Sequence, residues 1–130
     1  MIESDDIQSL ADEFGKCQKI LTAIGDEVRQ HIIISMMCSG KCNGMRVNNI
    51  ATHTNLSRPA VSHHLKILKD SGLIRMKREG TKNYYYFDAD MEAFDQLIDM
   101  LNHAKDIMLE LPDRSGDSCT DSYESAKIQV

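Results

Sequence analysis

Residues 50–74 read IATHTNLSRPAVSHHLKILKDSGLI, and almost every position in the first half of that run has a local structural meaning. Val47, Ile50 and Ala51 are the apolar positions of a short helix over about Val47 to Thr54. Asn55 follows, one of the few residues besides glycine that tolerates the left-handed backbone of a tight helix-to-helix turn. Leu56 is apolar and can plug the core beside that turn. Ser57 reads as an N-cap, and Pro59 falls in the first turn of the next helix, where a missing N–H costs nothing. Val61, Leu65 and Leu68 then repeat on one side until Ser71 and Gly72 end the helix.

Downstream the period changes to two. Leu73 to Glu79 and Lys82 to Phe87 flank Gly80-Thr81, which predicts a hairpin closed by a two-residue turn with glycine first. A long helix is expected from about Asp90 to Leu111, apolar at Phe94, Leu97, Ile98, Leu101 and Met108 and stopped by Pro112. Upstream, Ile7, Leu10, Phe14, Cys17, Leu21 and Ile24 step by three and four, predicting one amphipathic helix that ends at Gly25. Asp26 caps a second helix with Val28, Ile32, Ile33 and Met36 as its stripe, and a turn-rich loop covers 38–44. The expected fold is mainly α with one hairpin. Residues 1–111 form one folded domain, and residues 112–130, rich in Ser and Asp, form a disordered acidic tail.

At 130 residues the chain is long enough to bury a sizeable core without metal or disulfide. Its hydrophobic fraction of 42% and charged fraction of 27% are those of an ordinary globular protein. No apolar run reaches the ~18 residues of a membrane span, and the opening MIESDD is acidic where a signal peptide would be basic, so a cytoplasmic location is expected. In that compartment the four cysteines, Cys17, Cys38, Cys42 and Cys119, stay reduced. The net charge of −5 argues against a polyanion partner until it is read along the chain. Residues 57–82 hold seven bases against two acids, whereas eleven acids face three bases from Asp88 onward. A local basic footprint lies inside an acidic protein.

A short helix, a tight turn and a capped second helix make a helix-turn-helix, and a basic hairpin after it makes a wing. Such a helix presents its N-terminal residues to base edges in the major groove. Ser57, Arg58, Ala60, Ser62, His63 and Lys66 are the candidate DNA-binding residues there, with Arg58 suited to a bidentate pair with guanine. Lys77, Arg78 and Lys82 on the wing are candidates for holding the flanking backbone or reaching the minor groove. The rival reading is a winged helix that binds only a protein partner. No glycine-rich phosphate loop, nucleophile elbow or zinc-protease helix motif is found, so no enzyme is expected.

These segments resemble the ArsR/SmtB family of metalloregulatory repressors. The resemblance runs over about residues 18–110, through LTAIGDEVR (21–29), the 50–74 stretch and the hairpin REGTKNYY (78–85). Glu27-Val28 stands where the family often has Pro-x, and Asn55 where it usually has Gly. The resemblance implies a homodimer built by the first and last helices, bound to palindromic operator DNA and released by an inducer. A helix pair at the chain ends with no third layer to cover it supports the dimer independently.

The resemblance also implies two effector sites. The family's cysteine site falls on MRVNNI (45–50), which has no thiol; Cys38 and Cys42 lie just upstream and are the candidate thiol sensor. The last-helix metal site, paired across the dimer, maps onto Asp90, Glu92, His103 and Asp106. Three carboxylates and one imidazole are harder than the family's set, so the candidate effector is zinc or, favoured by oxygen ligands, manganese.

Overall fold

The computed structural model describes residues 4–39 and 44–112. The elements are α1 (Ser4–Lys16), α2 (Gln18–Ile24), α3 (Glu27–Ser39), α4 (Val47–Thr54), α5 (Arg58–Asp70), β1 (Ile74–Glu79), β2 (Lys82–Phe87) and α6 (Met91–Glu110). They fall into two compact units, residues 18–94 and residues 4–17 with 95–112. No described helix is long and apolar enough to cross a membrane. The tail expected from residue 112 lies outside the described residues except for Pro112, as do Cys42 and Cys119.

The single helix expected over residues 7–24 is two. The break is at Cys17, whose N–H is shared between the carbonyls of Glu13 and Phe14 at 3.1 Å each. Three-centre bonds of this kind mark helix ends, and Gly15 just before it weakens the helix by about 1 kcal/mol relative to alanine.

In the 18–94 unit the core consists of Ile20 and Ala23 of α2, Ile32, Ile33 and Met36 of α3, Ile50 of α4 and Val61, Leu65 and Leu68 of α5, closed by Leu73 and Ile74. One charged side chain is buried among them. Arg29 is only 9% exposed. Its Nε donates to the Ala23 carbonyl at 3.0 Å and its Nη2 to the Thr22 carbonyl at 2.8 Å, so it satisfies carbonyls left open where α2 ends. Asp26 caps α3 as expected, its Oδ2 accepting the Arg29 N–H at 2.9 Å, and that bond above all holds its carboxyl below the usual range.

The third arm of the guanidinium reaches α5. Arg29 Nη1 lies 3.2 Å from His64 Nδ1. A guanidinium can only donate, so Nδ1 is the acceptor and the ring's proton sits on Nε2. Burial, chiefly, pushes His64 below its ordinary value; Asp26 opposes this, and Arg29 and His63 add to it. The neutral ring is the form this contact requires.

The hairpin has the expected register, from Ile74 opposite Phe87 to Glu79 opposite Lys82, and Gly80 supplies the positive φ of 63° that its turn needs. The loop before α4 ends in pairing absent from the sequence reading. Met45 forms an antiparallel bridge with Tyr85, through Met45 N–H to Tyr85 O at 2.6 Å and Tyr85 N–H to Met45 O at 2.8 Å. Gly44 makes this approach possible: its φ is +87°, and a Cβ there would stand 2.9 Å from the Tyr85 oxygen.

In the other unit, α6 buries Leu97, Met100 and Ala104, while Ile98, Leu101, Met108 and Leu109 are about half exposed or more. Its His103 Nδ1 donates to Glu13 Oε2 of α1 at 2.8 Å, and that hydrogen bond, foremost, raises the imidazole above its ordinary value.

Two expectations follow. Gly44→Ala should lower stability by about 1–3 kcal/mol, because it adds left-handed strain and a clash with Tyr85; an unchanged urea midpoint would contradict this. The His103 bond is strongest to the imidazolium, so its contribution is complete below the ordinary value of 6.5 and is lost as pH rises through the raised folded value. Glu13→Gln should therefore bring the His103 titration, followed by NMR, back down toward 6.5.

Candidate nucleic-acid interface

The turn between α4 and α5 has the geometry its sequence implies. Asn55 adopts φ 57°, ψ 35°, and is the one described residue other than glycine with positive φ. The Leu56 N–H closes back on the Ala51 carbonyl at 3.2 Å. Ser57 Oγ accepts the Ala60 N–H at 3.3 Å, capping α5 with Pro59 in its first turn.

α5 is two-sided. Val61, Leu65 and Leu68 are fully buried, while Arg58, Ser62, His63 and Lys66 are exposed. Ser62, His63 and Lys66 lie on the side of the helix turned away from Val61 and Leu65 by its 3.6-residue period. Ser57 is exposed as well, and Ala60 is half-buried on the flank. The helix N-terminus adds partial positive charge beside Arg58.

On the hairpin, strand alternation divides the wing cations between faces. Lys77 and Lys82 share one face with Glu79, which sits opposite Lys82 in the register and holds Lys77 Nζ at 3.2 Å. Arg78 projects from the other face, its Nε donating to the Gly80 carbonyl at 3.1 Å. All three are exposed, and an exposed ion pair such as Lys77–Glu79 is worth at most about 1 kcal/mol, so it yields readily to a phosphate. Arg75, also exposed, is paired with Asp88 at 3.1 Å.

The candidate metal ligands are spread along α6 and its start. Asp90 Oδ1 caps the helix, accepting the N–H groups of Glu92 at 3.0 Å and Ala93 at 3.4 Å. Glu92 and Asp106 are exposed. His103, with Nδ1 donated to Glu13, keeps Nε2 for other use, and a carboxylate on the far ring nitrogen is how ligating histidines are commonly oriented. Among the described residues no three His, Cys, Asp or Glu side chains converge on a site that could hold a metal ion. Cys38 is an exposed free thiol, and Cys17 is buried.

Sequence reasoning gave no role to Arg29 and missed the Met45–Tyr85 bridge. The spacing Asp26-x-x-Arg29, a cap followed by a long cation inside the apolar stripe of Val28, Ile32, Ile33 and Met36, was the available signal for the first. Gly44 directly before Met45 was the signal for the second.

Comparison with known proteins places this geometry. A family profile described as bacterial regulatory protein, arsR family, matches residues 29–76, from Arg29 into the hairpin. An HTH-type transcriptional regulator of Methanocaldococcus jannaschii is 33% identical over 91 residues, covering 69% of this chain and 99% of that one. The transcriptional repressor SdpR of Bacillus subtilis is 38% identical over 66 residues, 51% of this chain and 69% of the repressor. The fold also matches the solution structure of a homodimeric winged helix-turn-helix domain from Mycobacterium bovis, with TM-score 0.51 and 23% identity over 86% of this chain and 97% of that one. With its capped α5, left-handed turn and basic hairpin, the chain belongs to the ArsR family of winged helix-turn-helix, DNA-binding transcriptional regulators.

Proposed function

We propose that the protein is a homodimeric repressor that reads a palindromic operator, with the N-terminal half of α5 in the major groove and the hairpin on the flanking backbone. The observation that carries this reading is where the charge sits. The basic block of residues 57–82 occurs on the exposed face of α5 and on the hairpin, within a chain of net charge −5. Arg58, Ser62, His63 and Lys66 meet bases and adjoining phosphates, and Ser57 with the helix N-terminus receives a phosphate. Lys77 and Lys82 face one way and Arg78 the other, so the wing meets the backbone by one face at a time.

The second subunit is supported by α6. Ile98 at 49%, Leu101 at 51% and Met108 at 65% exposure form an apolar surface that flanks its buried residues, and Phe14 of α1 is 39% exposed. A two-fold pair of chains joined through the terminal helices would set two reading helices ~34 Å apart, one turn of DNA. Release by an effector requires only that it bind the DNA-free conformation more tightly.

Anisotropy titration on duplex DNA should show affinity that falls steeply with salt. Arg58→Ala should cost about 1–3 kcal/mol and relax preference at one base pair, whereas Lys77→Ala should weaken all sequences alike and reduce the salt slope by about 1. Salt-independent or absent binding would favour a protein-binding module instead. Light scattering should give twice the chain mass for wild type and the single mass for Leu101→Asp.

A further inference from the structure

We propose that Arg29 and His64 are positioning residues for operator binding, and that placing a proton on His64 Nδ1 weakens the seating of α5 on DNA. The inference rests on the DNA-binding reading above and adds a residue pair that touches no DNA. His64 stands on the inner flank of the same helical turn whose outer side carries Ser62, His63 and Lys66. Through Arg29 that flank is joined to the Thr22 and Ala23 carbonyls where α2 ends and to the first turn of α3. The turn of α5 that offers most of the candidate base contacts is therefore tethered to the scaffold by a polar contact, beside the apolar packing of Val61 and Leu65.

That contact admits one protonation state. With Nδ1 bare, the ring accepts from Nη1 at 3.2 Å; with Nδ1 protonated, two donors and two cations face each other at that distance. The charged groups acting on the ring are Arg29 and Asp26 from the start of α3 and His63 from α5 itself, whose ring centroid is 5.7 Å away. None of α2, α4 and β1, which also pack on α5, sets a charge against it. Asp26 favours the proton, but it is already engaged by the Arg29 backbone N–H. Burial, Arg29 and His63 act the other way. Acid therefore breaks the tether while leaving the charges of Arg58, Lys66, Lys77, Arg78 and Lys82 untouched.

The test uses the full chain and a labelled duplex selected from a random-sequence pool by wild type at pH 7.5. Dissociation constants are measured from pH 7.5 to 5.5 for wild type and for His64→Gln, whose amide oxygen accepts from Arg29 but does not titrate. Every other side chain is common to the two proteins, so the ratio of wild-type to variant constants isolates His64. That ratio should rise severalfold toward pH 5.5, short of the tenfold that a ring titrating at the ordinary 6.5 would allow, because His64 lies below that value; a constant ratio overturns the proposal and leaves the DNA-binding reading standing. Failure to select any duplex overturns both. Nitrogen-15 NMR of wild type alone provides a check independent of any variant. It should show the Nε2–H tautomer of His64 at pH 7.5, and an Nδ1–H tautomer there overturns the proposal.

Discussion

A guanidinium offers five N–H donors in a fixed plane and accepts nothing, which makes Arg29 an organising constraint of the 18–94 unit. Two helix ends meet there, the open carbonyls of α2 and the capped start of α3, and both would be costly to bury unsatisfied. One side chain closes the first, its own backbone N–H engages the cap of the second, and a remaining nitrogen reaches the reading helix. A lysine carries its three donors on a single nitrogen and could not reach the three separated acceptors that Nε, Nη1 and Nη2 of Arg29 meet. No buried polar side-chain atom among the described residues lacks a partner, and this arrangement is a large part of the reason.

Much of the interface was legible in the sequence because it is built from local rules. Asn55, Ser57, Pro59 and Gly80 each announce a backbone geometry that needs no tertiary information, and each adopts it. The bounds of α4 and the two-residue turn were readable for the same reason. Long-range features were not. Arg29 meets His64 across 35 residues, and Met45 pairs with Tyr85 across 40; no periodicity carries that information. The break at Cys17 was missed because the apolar repeat runs through it undisturbed, and only a hydrogen-bond pattern reveals it. The candidate DNA residues were found as a set, but their division between wing faces became visible only with the strand register.

The two histidines with displaced titration illustrate how the partner, not the residue, decides the role. His64 faces a group that can only donate and is held neutral; His103 faces a carboxylate that only accepts and is drawn toward the cation. One gains from base and the other from acid. On α6, His103 thus has a specific partner on α1, Glu13.

The Met45–Tyr85 bridge has a consequence for the outside of the hairpin. Tyr85 pairs with Met76 on one side and Met45 on the other, so β2 is the inner strand at that level and β1 is left as the outer one. An outer strand invites edge-to-edge association with other sheets unless something discourages it. β1 is six residues long and carries Arg75, Lys77, Arg78 and Glu79. The cations proposed to meet a phosphate backbone therefore also guard the strand against aggregation: a substitution that made it apolar would give sticky, self-pairing protein before any loss of DNA binding could be measured.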